Sequence, residues 1–520
     1  MTFFDRHILN AILILPLAGA AALCAIPRER AEWHRRTAQI VSCLGVLAAL
    51  ALFGCFRTGF AAPQFQFTSD HGWIPSIGAR FTLGTDGLSV LMTLLASVVT
   101  AAAIFFPWPA AQEREREYYA LLLLLEASAL GVFLSLDFVL FYVFWVLTLV
   151  PLYFLIGAWG GERRAYVATK FFIYALASSA FLLLAIVAIN AHRGTFDMRQ
   201  ILAYPFSSEE SGLQRWLFWS LFFAFAARIA MVPFHTWLPD AHSEAPPAAS
   251  AILSGAFLQM GTYGFLRFCL PILPDAVNHY RPFLVALSLA GTVYGALVCL
   301  GQKDFKRLLA YFSVSQIGLC ALGIFTLTPL GISGSVIEQI NFGISMAALF
   351  LLAGALCERR RTLKIAELGG LAASMPKFAA AYLIFTLSAL GMPLFGGFVG
   401  ELGILRGAWE VRWQWAAWAV FGIVLSAAAL LWLCQRVIWG AAPAVGNARL
   451  PDLNAREYAM LVPLLLLSLW IGIYPKPFSR ILDGAVQQTV ERATPGYYAA
   501  PAAPGVNGTA PQTPIPGGAK

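Results

Sequence analysis

The chain has 520 residues, 59% of them hydrophobic and 12% charged, with a formal net charge of +8. So much apolar surface exceeds what a soluble core absorbs, and the mean hydropathy of +0.71 fits repeated bilayer spans of roughly 20 residues instead. The Lys and Arg residues are scattered through short loops, which argues against nucleic-acid binding, and eight cysteines without a CxxC pair argue against an iron–sulfur or zinc site.

The first apolar run, 8–26, is long for a signal peptide and lacks a small-residue cleavage site, so it is expected to stay as the first span. About fourteen spans in all meet the thickness criterion. The others lie near 38–56, 86–108, 118–135, 138–158, 166–190, 214–234, 248–270, 282–300, 305–326, 334–356, 376–398, 412–435 and 456–475. Arg28, Arg30, Arg35 and Arg36, then Arg163 and Arg164, then Lys303, Lys306 and Arg307, then Arg359, Arg360, Arg361 and Lys364 occupy alternate loops. That side is expected to be cytoplasmic, which puts both termini outside. Residues 64–85, rich in aromatics and turn formers, predict a hairpin on the outer face. Residues 476–520 read as a mostly disordered tail, and 494–520 hold little but Pro, Ala and Gly.

Two spans are irregular. Residues 222–244, FFAFAARIAMVPFHTWLPDAHSE, carry Arg228 and Pro233 in an apolar run and close on a polar knot; 390–401, LGMPLFGGFVGE, hold Pro393, Gly396 and Gly397 and end on Glu401. A broken helix with an ionisable residue in each half marks an inverted-repeat transport fold. The expected fold is thus an all-α polytopic membrane protein with two inverted-repeat five-helix bundles, 118–270 and 282–435, each with a discontinuous helix. Residues 1–117 precede them and the span 456–475 follows.

The motifs PFHTWLPDAHSEAP (233–246), MGTYGFLRF (260–268), QKDFKRLLAYFSVS (302–315) and GGFVGELGIL (396–405) resemble subunit M of proton-translocating NADH-quinone oxidoreductase, the respiratory complex I family. DGLS (86–89), FYVFWVLTLVPLY (141–153) and TKFFIY (169–174) agree in place and order. The resemblance implies an antiporter-like module of the membrane arm with no redox centre or cofactor of its own, partnered by other membrane-arm subunits in the bacterial cytoplasmic membrane. Electron transfer elsewhere would drive protons along its buried Lys, Glu and His residues. No GxGxxG after a strand and no Walker loop is found in the chain, in keeping with that.

The relay positions that the resemblance implies are largely exchanged. Val146 stands where the family has a glutamate, Arg228 and Gln259 where it has lysines, and Gln316 and Phe342 where it has histidines; Glu401 keeps the outer-half carboxylate. A buried lysine can change protonation, whereas arginine stays charged and glutamine hydrogen-bonds without titrating. Arg228 needs a partner, and the mid-span Glu126 is expected to pair with it directly or through water. His235, His242, Asp240 and Glu244 form a metal-like set only on paper, because the run is interrupted by Pro233 and Pro239. Their expected role, with Trp237 as an interface anchor, is to satisfy backbone freed by the break. Lys306 reads as a cytoplasmic-face charge with a proton-entry role as the alternative, and Lys170 as structural. The proton-path candidates are Glu126, Arg228, Gln259, Lys306, Gln316 and Glu401. Three readings follow: a pumping module with a rerouted path, a non-pumping structural subunit of a variant complex, or a subunit of a membrane hydrogenase, a cation/proton antiporter or an inorganic-carbon uptake complex.

Overall fold

Hydrocarbon offers backbone groups no partner, so apolar runs of this length fold as helices that satisfy themselves. The structure is a computed structural model and describes residues 3–59, 63–106, 114–441 and 450–498. The end of the expected tail, 499–520, lies outside the described residues.

The chain opens with α1 (Phe3–Ala25) and α2 (Ala31–Cys55), followed by the antiparallel strands β1 (Gln66–Ile74) and β2 (Ala79–Thr85). That is the hairpin expected at 64–85. Next come α3 (Gly87–Phe105), α4 (Glu115–Leu134), α5 (Phe138–Leu147), α6 (Leu149–Trp159), α7 (Arg164–Arg193) and the short α8 (Met198–Ala203). Then α9 (Ser211–Arg228) breaks off, and α10 (Trp237–Glu244) resumes after an eight-residue gap that contains a cis Val232–Pro233 bond. An irregular column joins α11 (Pro247–Ile252), α12 (Leu258–Gly264) and α13 (Leu270–Ile272) through π turns at Leu253–Phe257 and Phe265–Cys269. The second half holds α14 (Pro274–Leu300), α15 (Phe305–Phe325), α16 (Pro329–Arg360), α17 (Leu371–Ser374), α18 (Pro376–Ala389), α19 (Gly396–Val411) and α20 (Trp413–Ile438), and α21 (Ala455–Ile473) and α22 (Lys476–Ala493) close the chain.

Among the described residues eleven helices, α5 and α6 counted as one, are long and apolar enough to cross a membrane. The expected spans near 214–234, 248–270 and 376–398 fall instead on the interrupted segments. In α3, α15 and α16, 94% of the spanning window is buried, against 28% in α2, so these three form the centre and α2 lies at the periphery. Helices α16 and α19 meet along a glycine seam. A side chain at Gly400 would strike the Glu338 backbone at 2.6 Å, while Gly403 and Gly407 press on Gly334 and Gly331. Small residues let the two backbones touch.

Residues 476–493 correct the expectation of a tail. They form α22, whose Phe478, Ile481, Leu482, Val486 and Val490 are buried at helical spacing. It packs on α3, α13, α14 and α16. The basic loops are tied together at one end of the bundle, through pairs such as Arg163–Glu244, Arg307–Asp240 and Arg359–Glu457.

Candidate functional site

Two interruptions organise the polar interior. At the first, α9 ends on Arg228, and Ala230 takes a left-handed φ of 53° as the chain turns away. Trp237 donates its indole N–H to the Ala227 carbonyl at 3.0 Å, supplying a partner for backbone that the break sets free. Trp237 is buried, so it is not the interface anchor expected from its type.

Arg228 is only 2% exposed, and its surroundings overturn the expected ion pair with Glu126. The guanidinium lies between the rings of Trp145 and Phe257, 3.9 and 4.1 Å from their centroids. One terminal nitrogen donates to Thr148 Oγ1 and the other to the Trp145 carbonyl, both at 3.0 Å, while the Thr148 hydroxyl donates to that carbonyl at 2.7 Å. The cation is therefore solvated by two ring faces and one turn at the α5–α6 junction. Glu126 sits on another side of α4. A side chain at Gly45 of α2 would meet its Oε1 at 3.3 Å, and neither carboxylate oxygen has a hydrogen-bond partner among the described residues.

The knot after the break is a junction between the two halves. Asp240 takes Lys170 of α7 at 2.6 Å and Arg307 of α15 at 3.5 Å. His242 stacks on Phe350 of α16 with centroids 4.2 Å apart, and neither ring nitrogen is hydrogen-bonded among the described residues, so it does not satisfy freed backbone as expected. His235 is buried edge-on to Tyr294. Lys306 is not a surface charge: it is 5% exposed and donates to the Ala245 carbonyl at 2.9 Å. No group of three or more His, Cys, Asp or Glu among the described residues can hold a metal ion.

At the second interruption α18 stops at Ala389 and α19 starts at Gly396, with Pro393 between them. Gly391 has φ +61°, and any side chain there would collide with the Glu401 carboxylate, so glycine both makes the turn and leaves room for the acid. Gly397 stands against Asn341 and the Ser388 carbonyl, and Gly396 against Ile471. Glu401 and Gln316 face each other, and Gln316 also donates to the Ala389 carbonyl at 3.2 Å. The break and the α15 glutamine thus converge.

The sequence reading missed Glu338, a 1% exposed carboxyl on α16. It lies near Glu401, since the adjoining Gly400 packs directly on the Glu338 backbone. Neither carboxyl forms a salt bridge among the described residues, and Glu338 Oε2 and Glu401 Oε1 lack hydrogen-bond partners there. The signal was present, since an acid inside the apolar run 334–356 meets the criterion that singled out Glu126.

A ladder of polar side chains runs toward this pair from the first half. Gln259 donates to the Ser254 carbonyl at 3.2 Å, and the Thr262 hydroxyl donates to the Gln259 backbone carbonyl at 2.9 Å or to Gln339 Oε1 on α16 at 2.5 Å. Gln339 donates to Ser335 Oγ at 3.0 Å, which in turn donates to the Cys320 carbonyl at 2.6 Å. Beside it Asn341, Ser345, Ser388 and Ser468 form a closed cluster with bonds of 2.8 to 3.1 Å. Also unforeseen is the buried Arg267–Asp86 pair, two bonds of 2.7 Å braced by Ser89 and Tyr263 at the opposite end of the first half from the basic loops.

Interrupted helices with buried ionisable groups in a helical membrane bundle define an antiporter-like membrane protein. Residues 135–426 match the family described as NADH:quinone oxidoreductase/Mrp antiporter, transmembrane. Subunit M of NADH-quinone oxidoreductase from Rhodobacter capsulatus is 37% identical over 503 residues, covering 94% of this chain and 97% of that protein. The chain belongs to this family. Its fold superposes on a chain of respiratory complex I from Thermus thermophilus with TM-score 0.84 at 30% identity, covering 93% of this chain and 99% of the other. A chain of the Mrp complex from Dietzia sp. DQ12-45-1b has TM-score 0.80 at 23% identity, over 93% of this chain and 52% of that one, and shares the fold.

Proposed function

We propose that the chain is the subunit M-like module of a complex I type membrane arm and that it moves protons through its second half alone. It lies in the bacterial cytoplasmic membrane with both termini outside, beside other membrane-arm subunits, and carries no cofactor. The two bundles, 118–270 and 282–435, are inverted repeats that have diverged in role. The observation that carries this reading is the asymmetry of the interior: the first half presents a caged, permanently charged Arg228, whereas the second presents two buried carboxyls, Glu338 and Glu401, with Gln316 bonded to Glu401 and the Thr262–Gln339–Ser335 bonds alongside. A guanidinium does not cycle its proton, whereas a carboxyl can. Gln316 continues the wire with water, since members of a hydrogen-bonded chain need not all ionise.

Proton-to-electron stoichiometry in vesicles that carry the assembled complex tests the proposal. Glu401→Gln is expected to lower the ratio while quinone reduction continues. An unaltered ratio in a normally assembled complex would replace this reading with that of a non-pumping structural subunit, which Val146 and the Arg228 cage favour.

A further inference from the structure

Between α1, α4 and α6 runs a groove of about 870 Å³, within the roughly 300–1,000 Å³ common for small-molecule sites. Its apolar walls are the small Ala20, Ala21 and Cys24 of α1, Ala120 and Leu124 of α4, and Phe154 of α6. These residues belong to helices long and apolar enough to span, so the groove lies at membrane depth. At the end shared with the basic loops it is rimmed by Arg28, Arg114 and Arg116, with Trp159 beside them. Trp at that depth is characteristic of the headgroup layer.

We propose that this groove is a binding site for one anionic phospholipid, its acyl chains between α1 and α6 and its phosphate on the arginine rim. The charge balance supports an anion. Glu117 is shared by Arg28 at 2.9 Å and Arg116 at 3.3 Å, and Glu115 is taken by Arg35 at 2.7 Å from outside the rim. Three arginines therefore face one carboxylate. Arg114 is exposed and also lines the adjoining groove of about 650 Å³ toward Arg164, which widens the cationic surface.

The test uses the intact complex, stripped of lipid in detergent and reloaded with micelles of phosphatidylglycerol, phosphatidylcholine, or inorganic phosphate alone. Native mass spectrometry then reads retention on this chain. Phosphatidylglycerol is expected to be retained, and phosphatidylcholine and free phosphate not. Each of Arg28→Gln and Arg116→Gln should weaken retention about fivefold, the effect of one surface arginine on an anionic lipid. Ala21→Phe, which fills the groove and leaves the rim intact, should abolish it. Equal retention of both lipids, or retention unchanged in Ala21→Phe, would overturn the assignment. So would a cross-linker at Cys24 that captures a neighbouring subunit's helix in place of lipid.

Discussion

The cage around Arg228 makes a quantitative prediction. Thr148→Val keeps the shape of the α5–α6 turn and removes the hydroxyl that accepts from the guanidinium at 3.0 Å. A hydrogen bond to a charged group contributes roughly 1.5–3 kcal/mol, so the single substitution should cost about 2 kcal/mol. Arg228→Met removes the charge together with its need for solvation and keeps a long side chain between Trp145 and Phe257. Replacing a buried charge by an apolar group of similar volume is often neutral or stabilising, so this change is expected within about 1 kcal/mol of the parent. In the Met background Thr148→Val should cost no more than about 0.5 kcal/mol, which leaves a coupling of roughly 1.5 kcal/mol. Unfolding of the purified chain in mixed micelles measures all four corners of the cycle. If Thr148→Val costs the same with and without Arg228, the turn does not solvate the cation and the argument fails.

Gly400→Ala drives a methyl into the Glu338 backbone, so the α16–α19 seam should loosen by about 1–3 kcal/mol; the proton-to-electron ratio should drop with it, and a fully stable variant would show that the contact is not tight. Asp70 of the hairpin offers a pH test outside the membrane: burial pulls its carboxyl upward, but bonds from Arg80, Arg199 and Thr82 outweigh it and hold the group below its usual range. Its folded value is depressed, so its contribution is complete above about pH 4 and is lost as pH falls through that lower value. Hydrogen exchange of residues 66–85 should accelerate over that window, and Asp70→Asn should flatten the response.

Most of the architecture was legible because hydrocarbon imposes a simple rule on length and polarity. The hairpin at 64–85, both interruptions, and the role of Gly396 and Gly397 beside the second break follow from turn chemistry and from ionisable residues in apolar runs. Partner choice was not legible. Glu126 and Arg228 each required company, but helical periodicity does not say which neighbour a face meets, and Glu126 faces α2 while Arg228 found aromatic rings. Cation–π solvation was missed because nothing in an apolar run marks which of its aromatics, here Trp145 and Phe257, will face a cation. Glu338 was overshadowed by Phe342 four residues later, and α22 was hidden by its low hydropathy although its apolar spacing was helical.

That last helix constrains how the molecule can work. Because α22 packs on α13 at the end of the first half and on α14 and α16 of the second, as well as on α3, it straps the two halves into one body, and the Thr262–Gln339 bond pins them again inside. Transport by rocking one half against the other would have to tear both fastenings in every cycle. Under the proposed function, proton movement through this chain is accordingly a matter of rotating side chains and threading water within a stationary frame.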